Sequence, residues 1–90
     1  MPRVGKLQYH IVWCTKYRKK LLVDEVEVRL KELIQQQCEK YGYKLIEIEI
    51  MPDHVHIFLE GVMSHSVNDI VNKLKGGVSR KLREEFLELR

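Results

Sequence analysis

Ninety residues make one small domain with room for a single modest core. A composition of 44% apolar and 32% charged residues is an ordinary globular profile. There is no apolar run of roughly 18 residues to cross a membrane and no apolar N-terminal signal, so a cytoplasmic protein without a membrane partner is expected. The net charge of +3 conceals blocks: residues 1–23 carry six Lys or Arg and no acid, residues 24–63 are net acidic, and residues 64–90 are basic again.

The first predicted element is a strand. "LQYHIVWCT" alternates and is rich in β-branched and aromatic residues, with Leu7, Tyr9, Ile11 and Trp13 on one face and Gln8, His10, Val12 and Cys14 on the other. The basic "TKYRKK" follows. Here Tyr17 stands among Lys16, Arg18, Lys19 and Lys20. An aromatic among cations can stack on an unpaired base while the cations hold phosphates; the alternative is that Tyr17 anchors the strand end over the core edge.

Asp24 with Glu27 reads as a capping-box-like helix start. Val26, Leu30, Leu33, Ile34, Cys38 and Tyr41 recur at helical spacing, and Gly42 fits the stop. "KLIEIEI" and "VHIFLE" each alternate around the turn "MPDH", which predicts a hairpin. Its register pairs Ile50 with Val55, Ile48 with Ile57 and Ile46 with Leu59, all on one face. His54 and His56 then lie on the other, with Glu49 across from His56 and Phe58 across from Glu47. Ser66 can cap a second helix with Val67, Ile70, Val71, Leu74, Val78, Leu82 and Phe86 as its apolar stripe, and Gly76-Gly77 invites a kink or break. The pattern remains helical through "EEFLELR", with no glycine stop. Cys14 and Cys38 are too few and too far apart for a disulfide framework or a CxxC site, so reduced packing thiols are expected.

The order strand, helix, strand, strand, helix is most of a ferredoxin-like α+β unit. It implies an antiparallel sheet with helices on one face and the last strand missing. A sheet edge left unpaired would favour dimerisation; a monomer with a covered edge is the alternative.

Two features carry chemistry. His54 and His56 point the same way along a strand, roughly 6.5 to 7 Å apart at Cα, and can converge on one cation. Two ligands are half a site, for which Glu49, His10 and Asp53 are the nearby candidates; otherwise both imidazoles simply pack on the sheet face. On the second helix, Lys73 and Arg80 share one face while Lys75 and Arg83, with Ser79 between them, approach a neighbouring one. Guanidinium and hydroxyl groups suit phosphate oxygens, and the two basic stretches together suit a polyanion; either block alone could also be a solvated surface.

In order and spacing, "YHIVWCTKYRKKLL", "MPDHVHIFLE" and "SVNDIVNKLKGGVSRKLRE" resemble the single-tyrosine HUH transposases of the insertion-sequence-two-hundred type, from Tyr9 to about Glu85. The resemblance implies that His54, Val55 and His56 form a His-hydrophobic-His motif binding Mg2+ or Mn2+ at the scissile phosphate of single-stranded DNA. It implies a tyrosine nucleophile that forms a 5′-phosphotyrosine, DNA hairpins at the element's ends as substrate, and a homodimer with merged sheets. It also places that tyrosine on a late helix, four residues before a glutamine. Tyr9, Tyr17, Tyr41 and Tyr43 do not match: the residues four further on are Trp13, Leu21, Leu45 and Glu47. No catalytic residue is therefore assigned within residues 1–90, which are expected to form one incomplete HUH domain whose last strand and tyrosine helix follow Arg90. A non-catalytic single-stranded nucleic-acid-binding module on the same scaffold is the alternative.

Overall fold

The computed structural model describes residues 7–86 and Leu89. Arg3 and Lys6 of the first basic block, and the end of the "EEFLELR" pattern apart from Leu89, lie outside the described residues. Strand β1 (Gln8–Cys14) is followed by a 3-10 turn at Lys16–Arg18 and helix α1 (Asp24–Tyr41). The hairpin of β2 (Lys44–Met51) and β3 (His54–Glu60) leads to helix α2 (Val67–Glu85). The three strands form an antiparallel sheet in the order β1-β3-β2. This is the predicted α+β arrangement.

The apolar periodicities meet in one core. Val55, Ile57 and Leu59 of the central strand are fully buried, as are Ile34 of α1 and Ile70 and Leu74 of α2, all at 0% exposure. Tyr9, Ile11 and Trp13 of β1 join them from the same sheet face. Because side chains alternate along a strand, His54, His56 and Phe58 are turned to the opposite, open face. At the end of β3, Gly61 is a point of close approach: a Cβ there would come within 2.7 Å of the Ile70 side chain.

The structure corrects four expectations. The hairpin register holds from Met51↔His54 to Glu47↔Phe58, including Ile50↔Val55 and Ile48↔Ile57, but a bulge between Leu45 and Glu47 then pairs Leu45, not Ile46, with Leu59. Leu45 takes the core position and Ile46 is left 42% exposed, because one extra residue in a strand reverses the facing of what precedes it. Asp24 is not an N-cap: the cap is Val23, without a side-chain hydrogen bond, and Asp24 itself has φ 53°. Aspartate tolerates that left-handed conformation, and with Glu25 and Glu27 it places negative charge at the helix's positive end.

Gly76 and Gly77 do not break α2, which runs unbroken to Glu85 with Phe86 as a non-helical cap. The buried Leu74 and Val78 on either side hold it to the core, and tertiary packing overrides the weak local propensity. Cys14 is exposed rather than packed, whereas Cys38 is buried. The remaining end signals are as expected. Ser66 and Asp69 form a full capping box at α2, and Gly42 closes α1 at φ 79°. Among the described residues no helix is long and apolar enough to cross a membrane.

Candidate nucleic-acid interface and metal centre

The open sheet face is built in cross-strand rows. From the hairpin turn outward they are Cys14–His54–Met51, Val12–His56–Glu49, His10–Phe58–Glu47 and Gln8–Glu60–Lys44. His54 and His56 are half-buried and share this face. Each ring engages a different neighbour. His54 Nδ1 lies 2.8 Å from Asp53 Oδ1, and His56 Nε2 lies 3.2 Å from His10 Nδ1. His10 is also stacked on Phe58, with centroids 4.3 Å apart. Glu49 is the cross-strand partner of His56, as the register predicts. Among the described residues no group of three or more His, Cys, Asp or Glu is gathered tightly enough to hold a metal ion.

The donor chemistry nevertheless fits a divalent cation at His54. The Asp53 carboxyl is held below the usual carboxylate range, first by its hydrogen bond with His54 and then by that with Arg18. An ionised carboxylate only accepts, so His54 Nδ1 carries the hydrogen and its Nε2 is the nitrogen open to a ligand. Carboxylate support of this kind commonly backs a metal-binding histidine.

Asp53 also brings the first basic stretch to the histidines. Its Oδ2 accepts a hydrogen bond from Arg18 Nε at 3.1 Å. Its main-chain oxygen accepts one from Thr15 N at 2.9 Å, and Pro52 O accepts one from Leu22 N at 2.9 Å. The loop between β1 and α1 is thus latched onto the hairpin turn. Within it Tyr17 and Arg18 adopt φ of 60° and 55°, a left-handed conformation costing about 1–3 kcal/mol per residue. Thr15 Oγ1 donates to Lys19 O and braces the turn. Tyr17 is 79% exposed and does not anchor over the core; Lys16 Nζ lies 5.3 Å from its ring centroid. Lys19 and Lys20 are exposed beside it.

The second basic stretch divides between two depressions. Lys75, Ser79 and Arg83, successive on one face of α2, line a depression of about 510 Å3 together with Lys16 and Trp13, so the two basic stretches meet there. Lys73 and Arg80 line the other, about 570 Å3 between α1 and α2, with Lys40, Tyr41 and Lys81. There Lys73 Nζ and Lys40 Nζ lie 5.2 and 5.4 Å from the Tyr41 ring centroid. Asp53 as the hub of the site is the residue that sequence reasoning passed over, having read it only as a turn residue and one ligand candidate among three. An aspartate directly before the first histidine, on a tight turn, is the signal that could have found it.

The family model described as "Transposase IS200 like" matches residues 3–90. The chain belongs to the IS200-like transposase family. It is 37% identical over 87 residues to the ISDra2 transposase TnpA of Deinococcus radiodurans, an alignment covering 97% of this chain and 62% of that protein. It is 32% identical over 83 residues to the transposase for insertion sequence element IS200 of Salmonella typhimurium, covering 92% of this chain and 55% of that one. Among solved structures, a crystal structure described as a transposase of Deinococcus radiodurans R1 superposes with a TM-score of 0.90 at 39% identity, covering 98% of this chain and 68% of the other. This IS200-like chain therefore spans less than two thirds of the length of the curated relatives it matches.

Proposed function

We propose that this chain is the DNA-gripping and cation-holding portion of an IS200-type transposase. In this reading it binds hairpin single-stranded DNA at element ends, and the whole protein cleaves and rejoins strands through a 5′-phosphotyrosine with Mg2+ or Mn2+. The observation that carries the reading is the meeting of the two basic stretches: Lys16, on the loop that Asp53 latches beside His54, lines one depression with Lys75, Ser79 and Arg83 of α2. Cations and hydroxyls grip phosphate oxygens, exposed Tyr17 offers a stacking surface, and Cys14, in the lining of the depression, is the β1 neighbour of His54 on the open sheet face. His54 through Nε2, and His56, would hold the cation, which when bound supplies Lewis-acid polarisation of a phosphoryl oxygen. Imidazole donors suit Mn2+ better than Mg2+.

Tyr9 and Tyr41 pack against the core and Tyr43 is buried in it, so none is assigned the nucleophile's role. That tyrosine is sought in the remainder of the relatives' length. Edge strands β1 and β2 are the surfaces through which a homodimer would form, and a cytoplasmic setting suits a DNA substrate.

Two observations favour the non-catalytic reading. His56 Nε2 is already engaged by His10, and no tight group of three donors exists among the described residues. Two measurements separate the readings. Calorimetry with Mn2+ is expected to show binding that His56→Ala abolishes; hairpin binding without any Mn2+ binding would favour the non-catalytic module. Hairpin DNA is expected to bind with a steep salt dependence, and equal affinity for a neutral-backbone analogue would refute both readings.

A further inference from the structure

Asp53 meets more of the site than any histidine does. Its two carboxylate oxygens face two different donors, His54 Nδ1 at 2.8 Å and Arg18 Nε at 3.1 Å, and its backbone oxygen holds Thr15 N. With a side chain only 21% exposed it is more enclosed than Arg18, at 64%. Among the described residues His54 is the one histidine with a carboxylate hydrogen-bonded to its ring: His10 and His56 face each other, and His65 Nδ1 faces Tyr43 Oη at 2.6 Å.

A free imidazole exchanges its hydrogen between two nitrogens, and only the bare nitrogen can ligate a metal. Whatever fixes the hydrogen on Nδ1 therefore selects Nε2 as the ligand atom and sets the plane of the ring. We propose that Asp53 is a positioning residue of the transposase site: it locks His54 in the Nδ1–H form with Nε2 available to the cation, and through Arg18 it holds the DNA-gripping loop against the same histidine. One aspartate thus couples the metal side of the site to the phosphate side. A carboxylate is required because two donors converge from different directions and an amide offers only one acceptor atom. The metal half of this role rests on the cation reading proposed above; the tautomer half can be measured with no metal present.

The test uses the full chain labelled with 15N at histidine. Ring-nitrogen spectra recorded above the histidine titration range report which nitrogen of His54 is protonated, and Mn2+ titration reports affinity. Wild type is expected to show His54 as Nδ1–H. Asp53→Ala is expected to lose that preference and to weaken Mn2+ binding about 10- to 100-fold, the usual cost of removing a carboxylate behind a metal-binding histidine. Arg18→Ala is expected to keep the tautomer while weakening hairpin DNA binding, a split that general destabilisation would not produce. If Asp53→Ala does not fold, Asp53→Asn carries the test, because its single acceptor weakens the preference without removing the side chain. An unchanged tautomer and unchanged Mn2+ affinity in the folded variants would overturn the positioning role and leave the cation reading standing. A tautomer that responds to Asp53 in a wild type that binds no Mn2+ would overturn the cation reading while supporting the hold of Asp53 on His54.

Discussion

The depression shared by Lys16, Lys75, Ser79 and Arg83 makes a quantitative demand on DNA binding. Each lysine ammonium that neutralises a phosphate releases condensed counterions. Its loss lowers the slope of log K against log salt by about 0.7 on a single strand and about 0.9 on a duplex stem. The double variant Lys16→Ala/Lys75→Ala removes one such group from the loop wall of the depression and one from its α2 wall. The slope is therefore expected to fall by about 1.4 if the groove holds a single strand, and by about 1.8 if it holds the stem. Ser79→Ala removes a neutral donor from the same wall and should lower affinity with the slope unchanged. Lys31→Ala, on the exposed side of α1 and lining neither basic depression, should alter neither. Fluorescence anisotropy of a labelled hairpin with a single-stranded tail, titrated at several salt concentrations, measures every slope. A double variant whose slope equals that of wild type would refute the assignment of this depression to DNA, whatever its absolute affinity.

The bulge in β2 predicts that Leu45→Ala costs more stability than Ile46→Ala, since Leu45 packs on the core and Ile46 does not. The exposed site should stay within about 0.5 kcal/mol of wild type in urea unfolding. Ser66→Ala should cost about 1 kcal/mol by removing the α2 cap. It should also flatten the acid limb of stability in part, since the Ser66 backbone N–H, the larger cause of the Asp69 shift, survives the substitution. Hydrogen bonds from Ser66 backbone and side chain hold the Asp69 carboxyl below its usual range, so that stabilisation is present above the unfolded carboxylate value and lost as pH falls through the folded one. Unfolding midpoints of both proteins across the acid range check this. Burial pushes the Cys38 thiol up to about 11, whereas Cys14 is exposed, so a thiol reagent at mildly alkaline pH should modify Cys14 alone until denaturant is added.

Much of this molecule is legible in its sequence because the periodicities are unambiguous. The strict alternation of "VHIFLE" dictates that Val55, Ile57 and Leu59 face one way and the histidines the other, and the helical spacing of Val26 to Cys38 dictates the buried side of α1. What sequence reasoning missed has local causes. Leu45 and Ile46 are adjacent aliphatics, so alternation permits either to face the core, and only packing against Leu59 decides. Gly76-Gly77 reads as a weak point because propensity is local, while the burial of Leu74 and Val78 is not. The exposure of Cys14 was in fact encoded in the alternation of β1, which sets it on the histidine face; the general tendency of cysteine to be buried argued the other way. The latch from Asp53 to Arg18 joins residues 35 apart, and no periodicity reports on such a contact.

The contact between His10 and His56 bears on what would complete the proposed cation site. Donors about 2.1 Å from one ion stand about 3.0 Å apart at a right angle and about 3.4 Å apart at the tetrahedral angle. The observed 3.2 Å between His10 Nδ1 and His56 Nε2 lies within that interval, so the two nitrogens have the spacing of neighbouring ligands as well as that of a hydrogen bond. The backbone already holds them there, because β1 and β3 are paired at His10↔Phe58 and Val12↔His56 and their other faces are locked in the core. If His10 is a ligand, His10→Ala weakens Mn2+ binding by more than about 10-fold, the lower bound for losing even an indirect partner of a metal ligand. If it merely occupies His56 Nε2, its removal frees that nitrogen and binding strengthens. Stronger Mn2+ binding by His10→Ala would refute the ligand role.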